Sequence, residues 1–376
     1  STNSFPMEEI YDPNTIYYRH PKSHRLGGIH LKDQAAKVTE VGLSVLKTLG
    51  VKIVEGGVFD LLTISRPAVV SYHKTYHECM SREYMNTKYL KKAAETTNTV
   101  DRMKWVVMFL LTGIWRNPAE MQNNGPLNPI LGETYIAEKA DGTTIYCEQI
   151  CHHPPVTAYL IVGPNNSYRL YGTGQLDVKM NGFNNIIGTR SGKTTVEFAD
   201  GTKIMFTNPD TRIDGLLMGD RRYNYMRSCV FLDKTHHISA EVNFLYNSTG
   251  GISKLTNGIK RLFGSHSETP QSDRLEIIFF HYIKENGESK KQVICEGSGS
   301  WVSHIQIANK LLWEVDDAVD DPWIERMDKR LPSDSLFRED SKFIKLKDFD
   351  KAQKAKDALE NRQRADAKLR KEYAKK

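Results

Sequence analysis

Twice in the middle of the chain, Asp-Gly stands between two runs of alternating apolar and polar residues: "TYIAEKADGTTIYCEQ" (134–149) and "TTVEFADGTKIMF" (194–206). Asp-Gly suits the positive-φ positions of a tight turn, and alternation sends successive side chains to opposite faces, so each string predicts a β-hairpin. "VTAYLIVGPNNSYRLYGTGQLDV" (156–178) and "RLEIIFFHYIKENGESKKQVICEGSGSW" (274–301) read as further strand–turn–strand units. In "HHISAEVNFLY" (236–246), Ile238, Ala240, Val242 and Phe244 fall on one side. Sequential strands with short connections, from about 134 to 300, predict a large antiparallel meander. Closure into a barrel is its most economical form because closure hides the unpaired edges, and such a barrel can enclose a ligand cavity.

The flanks have a different texture. Residues 1–30 are polar and turn-rich. A helical pattern over 31–49 sets Val38, Val41, Val45, Leu46 and Leu49 on one face, with Gly50 as its stop and "EGG" (55–57) as a hinge. Residues 72–95 and 99–115 are both helical in pattern, and the second is apolar nearly all round, which predicts burial. An irregular stretch, 314–347, leads into a charged helix over 348–373.

With 39% apolar and 26% charged residues, the chain has the composition of a soluble globular protein. Its most apolar run, "WVVMFLLTGIW" (105–115), is shorter than the roughly 20 residues of a membrane-spanning helix. The polar, acidic start "STNSFPMEEIYDP" does not read as a signal peptide. Five cysteines (79, 147, 151, 229 and 295) without a Cys-x-x-Cys pair point to reduced thiols and a cytosolic setting. Residues 351–376 hold ten Lys/Arg against four Asp/Glu and so supply the whole net charge of +6. That distribution argues against a uniformly basic nucleic-acid binder. It suits a local basic helix that meets phosphate or an acidic membrane surface.

The string richest in chemistry is "CEQICHHPPV" (147–156), which admits a metal site, a cysteine nucleophile with its base, or a landing place for an anion. Neighbouring side chains on a strand point to opposite faces, and no His-Glu-x-x-His or finger spacing accompanies them, so the metal reading is weak. Cys151 and His152 are poorly disposed for proton transfer, and no third group is implied. His236–His237 reads as a surface pair at a strand start. "GTRSGKTTVEF" (188–198) has Gly188 one residue too close to Gly192 for a phosphate-binding P-loop, and it runs into a hairpin instead of a helix. "GTG" (172–174) and "GSG" (297–299) read as strand bulges or bends.

Several strings together resemble one family, the oxysterol-binding-protein-related lipid-transfer domains. "EQICHHPP" (148–155) is close to that family's fingerprint EQVSHHPP, with Ile150 for Val and Cys151 for Ser. "NPILGETY" (128–135) looks like its second hallmark, "LPSDSLFRED" (331–340) like its late loop and "KAKDALENRQR" (354–364) like its terminal helix. The resemblance covers roughly residues 57–376. It implies a mainly β fold with flanking helices: a large, incompletely closed antiparallel β-barrel around a lipid tunnel. Residues 1–56 would be a polar segment and helical lid, and 57–376 the lipid-binding barrel, with a C-terminal helical region over about 314–376.

The function implied is extraction of a single lipid, phosphatidylinositol 4-phosphate exchanged with a sterol or phosphatidylserine, and its movement between membranes. The chain would be a cytoplasmic monomer at anionic membranes and membrane contact sites, with no cofactor, metal, nucleic acid or catalysis. Two alternatives stay open: a lipid-dependent sensor or scaffold with little net transport, and a hydrolase or zinc enzyme using Cys151 or the histidines.

The resemblance also assigns residues. His152 and His153 map to the family's phosphate-contacting pair, with Pro154 and Pro155 fixing the backbone after them. Lys356, Glu360 and Arg364 reproduce a phosphate-contacting set spaced four apart on one helical face; without the family they would read as a solvated charged helix. Leu127 and Asn128 match positions whose backbone holds the lipid glycerol-phosphate, although Asn128-Pro129 also reads as a turn. Glu148 and Gln149 are read as structural. One position departs. The family generally has Lys or Arg immediately before Pro-x-Asn-Pro-x-Leu-Gly-Glu and uses it on the headgroup phosphate, whereas here that position is Gly125. A charged donor contributes about 1.5–3 kcal/mol, so the loss implies roughly ten- to hundredfold weaker headgroup affinity unless another cation compensates.

Overall fold

The computed structural model describes residues 9–32, 65–122, 124–182, 184–216, 219–246, 271–285, 288–316 and 321–374. Short strands come first: β1 (Glu9–Ile10), β2 (Ile29–His30), β3 (Ser71–Thr75) and β4 (Gly125–Leu127). The meander follows as β5 (Thr134–Glu138), β6 (Thr144–His152), β7 (Pro155–Val162), β8 (Tyr168–Met180), β9 (Asn185–Ser191), β10 (Thr194–Phe198) and β11 (Lys203–Phe206). It continues through β12 (Asp210–Asp214), β13 (Arg222–Asp233), β14 (Ile238–Phe244), β15 (Arg274–Glu285), β16 (Glu288–Ser300), β17 (His304–Ile307) and β18 (Lys310–Glu314).

Both Asp-Gly hairpins form in the register that their alternation requires. Tyr135 pairs with Cys147 across β5–β6, and Val196 with Ile204 across β10–β11, with all four side chains buried. The antiparallel sheet runs β1-β18-β17-β16-β15-β14-β13-β11-β10-β8-β7-β6-β5. The end strands β1 and β5 do not pair with each other, so the barrel is incompletely closed. The β5 edge is instead covered by the chain around 321–334, through the bridges Glu138↔Ile324 and Thr134↔Asp334. This shields backbone groups that would otherwise template association.

The sheet also forks. β8 pairs with β10 along Tyr168–Gly172 and with β9 from Gln175 onward, while β9 and β12 bridge back to β13. The "GTG" string, expected as a bulge or bend, marks this change of partner. A β-carbon on Gly172 would lie 2.6 Å from the Lys193 carbonyl oxygen and 2.8 Å from the Tyr159 hydroxyl, so only glycine fits the fork.

Helices α1 (Tyr76–Glu83), α2 (Lys88–Glu95), α3 (Thr99–Leu111) and α4 (Arg116–Met121) lie between β3 and β4. The expectation of one helix over 72–95 is corrected twice. Ser71–Thr75 is strand β3, paired parallel to β4, and Thr75 closes a capping box with Glu78 that starts α1 afresh. After α1 the chain turns at Asn86, whose Nδ2 donates to the Thr112 carbonyl at 2.9 Å. Helix α3 matches its sequence pattern: Met103 and Val106 through Leu111 are fully buried, and it packs against β13 and β14. An ion pair invisible in the sequence ties α1 to β9, with Arg190 Nη1 2.8 Å from Glu83 Oε2 and Arg190 Nη2 donating to Asn208 Oδ1 at 2.6 Å.

At the C-terminus, α5 (Glu339–Lys345) interrupts the stretch expected to be irregular, and α6 (Phe349–Tyr373) is the charged helix. Asp348 caps α6 by accepting from the Lys351 N–H at 3.2 Å. Among the described residues, no helix is long and apolar enough to cross a membrane. Of the predicted helix over 31–49, all but its first two residues, and so Val38, Val41, Val45, Leu46 and Leu49, lie outside the described residues.

Candidate functional site

Strand β6 carries the histidine fingerprint along its length. Ile145, Cys147 and Gln149 are buried, whereas Glu148 and Ile150 face out. Gln149 is a structural knot: its Nε2 donates to the Cys151 carbonyl at 2.8 Å, and its Oε1 accepts from Thr157 Oγ1 at 2.7 Å. Its backbone exchanges hydrogen bonds with Glu133 and Gly132 at 2.9 and 2.8 Å, which fastens the 128–135 string to the fingerprint. Past Gln149 the register slips, and β6 ends at His152. The His153–Pro154 peptide bond is cis.

The two imidazoles sit edge to face, 4.4 Å between centroids. His153 is exposed and His152 half-buried. Burial holds the His152 pKa below its ordinary value, with the neighbouring His153 adding to the effect; the Pro129 carbonyl and Glu360 act against it. The ring is therefore neutral near pH 7, and its Nδ1 is buried without a partner. An unpaired buried polar atom is costly, which favours an incoming group able to bond it.

Helix α6 brings the basic residues to this corner. Lys356 is nearly buried, pairs with Glu360, and donates from Nζ to Ser65 Oγ at 2.6 Å. Ser65 Oγ in turn donates to Glu360 Oε1 at 3.1 Å. Arg364, largely exposed, approaches Glu360 Oε2 at 3.7 Å and donates to Asn361 Oδ1 at 2.9 Å. The helix is seated by amides: the Leu131 N–H donates to Gln363 Oε1 at 2.9 Å, and the Ala68 N–H to Gln353 Oε1 at 2.8 Å. Ala352 completes the seat in a small apolar cluster with Ala68, Leu127 and Ile344.

Beneath this corner lies a buried ionic junction. Arg338 Nη1 meets Glu133 Oε2 at 3.0 Å, Arg338 Nη2 meets Asp340 Oδ2 at 2.6 Å, and Nη1 also donates to the Asn128 carbonyl at 2.8 Å. Burial pushes the Glu133 carboxyl upward, while Arg338 and the Ile130 N–H oppose that shift. Two strings singled out in the sequence, 128–135 and 331–340, are thus joined through one guanidinium.

The structure brings His152, His153, Lys356 and Glu360 to one corner of the barrel rim, with Leu127 and Asn128 beside them and Arg364 at its solvent edge. Sequence reasoning missed Ser65, which no pattern distinguishes, and Arg338, which sits inside a recognised string but whose partner lies 205 residues away. A separate groove of about 460 Å³, lined by Thr134, Tyr146, Leu160, Lys329 and Leu331 among others, holds none of the predicted phosphate contacts.

Fold and corner together define an incompletely closed β-barrel with histidine and lysine donors gathered at its rim. Residues 56–376 match the oxysterol-binding protein family, and the chain belongs to that family. It is 29% identical to oxysterol-binding protein 9 of Dictyostelium discoideum, over 92% of this chain and 80% of that one. It is 26% identical to oxysterol-binding protein-related protein 8 of Mus musculus, over 97% of this chain but only 40% of that longer protein. Among solved structures it is similar to the Osh3 ORD of Saccharomyces cerevisiae in complex with PI(4)P, with a TM-score of 0.68 and 18% identity over 95% of this chain and 89% of that one. The Osh1 ORD domain in complex with ergosterol is also similar, with a TM-score of 0.64 and 16% identity over 95% and 84% of the two chains. These two likenesses establish the fold.

Proposed function

We propose that this chain is a non-enzymatic lipid-transfer domain that takes phosphatidylinositol 4-phosphate into its barrel, with the headgroup phosphate received at His152, His153 and Lys356. The observation that carries this reading is that Glu360 acts on a neutral histidine with an unpaired Nδ1 and also pairs with a nearly buried lysine, which joins the two at one corner of the rim. Phosphate oxygens accept charge-assisted hydrogen bonds from such donors. Glu360 and Ser65 hold the Lys356 ammonium in place, Arg364 closes the solvent side, and Leu127 and Asn128 offer backbone to the glycerol-phosphate.

In this reading residues 1–56 form the lid segment and 57–376 the lipid-binding barrel with its C-terminal helices. The acyl chains exchange one apolar environment for another, at about 25 cal/mol per Å² in each, so exchange is close to neutral. A competing sterol or phosphatidylserine then gives transfer a direction, between membranes that the cytoplasmic domain visits peripherally, including contact sites. Ligands of relatives support the choice, since PI(4)P occupies the Osh3 domain and ergosterol or cholesterol the Osh1 domain.

Mass spectrometry of lipids that co-purify with the protein, followed by competition with phosphatidylinositol 4-phosphate, tests this reading. It expects one lipid per chain, displaced by the phosphoinositide. A chain that carries no lipid and accepts none from liposomes contradicts it.

A further inference from the structure

Gly125 stands where the family resemblance implies a cation, yet the space beside it is filled. A β-carbon built on Gly125 would lie 2.9 Å from Arg66 Cζ and closer still to Nη1. Ser71 pairs with Gly125 in the parallel β3–β4 ladder, and the chain that carries Arg66 leads into β3 through the short turn Ala68–Val70. A guanidinium therefore stands where the side chain of residue 125 would begin.

Arg66 has few partners there. One Nη donates to the Pro126 carbonyl, and Nε is buried with no hydrogen bond. Among the described residues, no carboxylate lies within ion-pair distance of it, and burial pushes its pKa down to about 10. Arg66 is half-buried with its Nε shut off from solvent, and a cation so placed without a counter-ion is costly, a cost that an arriving anion relieves. Its chain neighbour Ser65 bonds both Lys356 and Glu360, so Arg66 borders the corner already described.

We infer that Arg66 supplies the phosphate-binding cation that position 125 lacks, so that the charge has moved from β4 to the segment preceding β3. This rests on the phosphoinositide reading above and names one of its donors. A guanidinium also changes the contact: its planar fork engages two phosphate oxygens, where an ammonium acts as a point charge.

The test compares liposome binding and extraction by the native chain, Arg66→Ala, Arg66→Gln, Gly125→Lys, the double variant Arg66→Ala/Gly125→Lys, and His152→Ala/His153→Ala. Loss of one charged donor predicts about ten- to hundredfold weaker phosphatidylinositol 4-phosphate binding by Arg66→Ala and Arg66→Gln. Uptake of sterol, which has no phosphate, should be unchanged; a purely structural role would impair both lipids alike. Arg66→Gln keeps a donor for the Pro126 carbonyl and guards against loss of the fold. Gly125→Lys alone overlaps the guanidinium and brings no gain, whereas in the Arg66→Ala background it recovers affinity to within a few fold. Native-like phosphoinositide binding by folded Arg66→Ala and Arg66→Gln, or no recovery in the double variant, overturns the inference. If the histidine pair abolishes extraction and the Arg66 variants do not, the site reading stands and only Arg66 is wrong. If the native chain extracts no phosphoinositide, both fall.

Discussion

On the proposed reading, a neutral imidazole with an unbonded nitrogen, near Glu360, accepts a proton when a phosphate arrives. His152 has a lowered pKa in the free protein because burial and His153 disfavour its charge. A bound phosphate reverses that preference, so binding takes up a proton and weakens as pH rises through the ligand-bound pKa. Above about pH 7 the phosphate is close to fully dianionic, so the remaining slope reports the protein. Phosphoinositide affinity measured between pH 7 and 8 should fall with pH in the native chain and fall less steeply in His152→Gln. A steeper dependence in the variant would exclude His152 as the proton acceptor. Arg338 sets the other residue-scale expectation. Arg338→Met leaves Glu133 and Asp340 buried without their cation and should cost about 3–5 kcal/mol in urea unfolding. The histidines were legible because a short motif and two prolines carry them. The Arg338–Glu133 junction was not, because nothing local in either string names a partner so far along the chain.

At the scale of elements, α6 shows why a helix is easier to foresee than its docking. Its length and charge were plain in the sequence, but its buried residues are Ala352, Lys356 and Gln363, which give no apolar stripe. The seat is made from amide-to-backbone bonds and one methyl group. Ala352→Arg should therefore undock α6 without unfolding the barrel. Hydrogen exchange across Phe349–Tyr373 should rise, and phosphoinositide binding should fall at least tenfold, as expected on losing one charged donor or more. Unchanged exchange would show that the helix is held elsewhere. The misread start of 72–95 has a similar origin: β3 is five residues long and is a strand only because β4, over fifty residues on, lies beside it.

For the whole molecule, alternation and two Asp-Gly turns made the meander legible, and the structure pairs those strands as written. The fork at Gly172 and the covering of β5 by residues 321–334 were not legible, because both depend on which non-adjacent segments meet. The fold also has a predictable acid limit. Burial, reinforced by nearby cations, lowers the pKa of His73 and His304 to about 4 and of His77 to about 3. Unfolding lets each rise to its ordinary value near 6.5, so below that pH the unfolded chain binds more protons than the native one. Glu133, held up to about 7 by burial, works the other way between about pH 4.5 and 7. Three histidines outweigh one carboxyl, so net stability should decline from about pH 6.5 toward 4, as read by thermal melts across that range. This is opposite in direction to the pH dependence expected of phosphoinositide binding, which acid should favour through His152. A melting temperature that rises on acidification would contradict the assignment of His77 and His304 as buried and neutral and of the half-buried His73 as neutral.

The central claim is that the rim corner receives a lipid phosphate. Extraction of phosphatidylinositol 4-phosphate from liposomes by the native chain and by His152→Ala/His153→Ala, both checked for folding, tests it most directly. The expected result is extraction by the native chain and none by the double variant. Equal extraction by a folded double variant would contradict the claim.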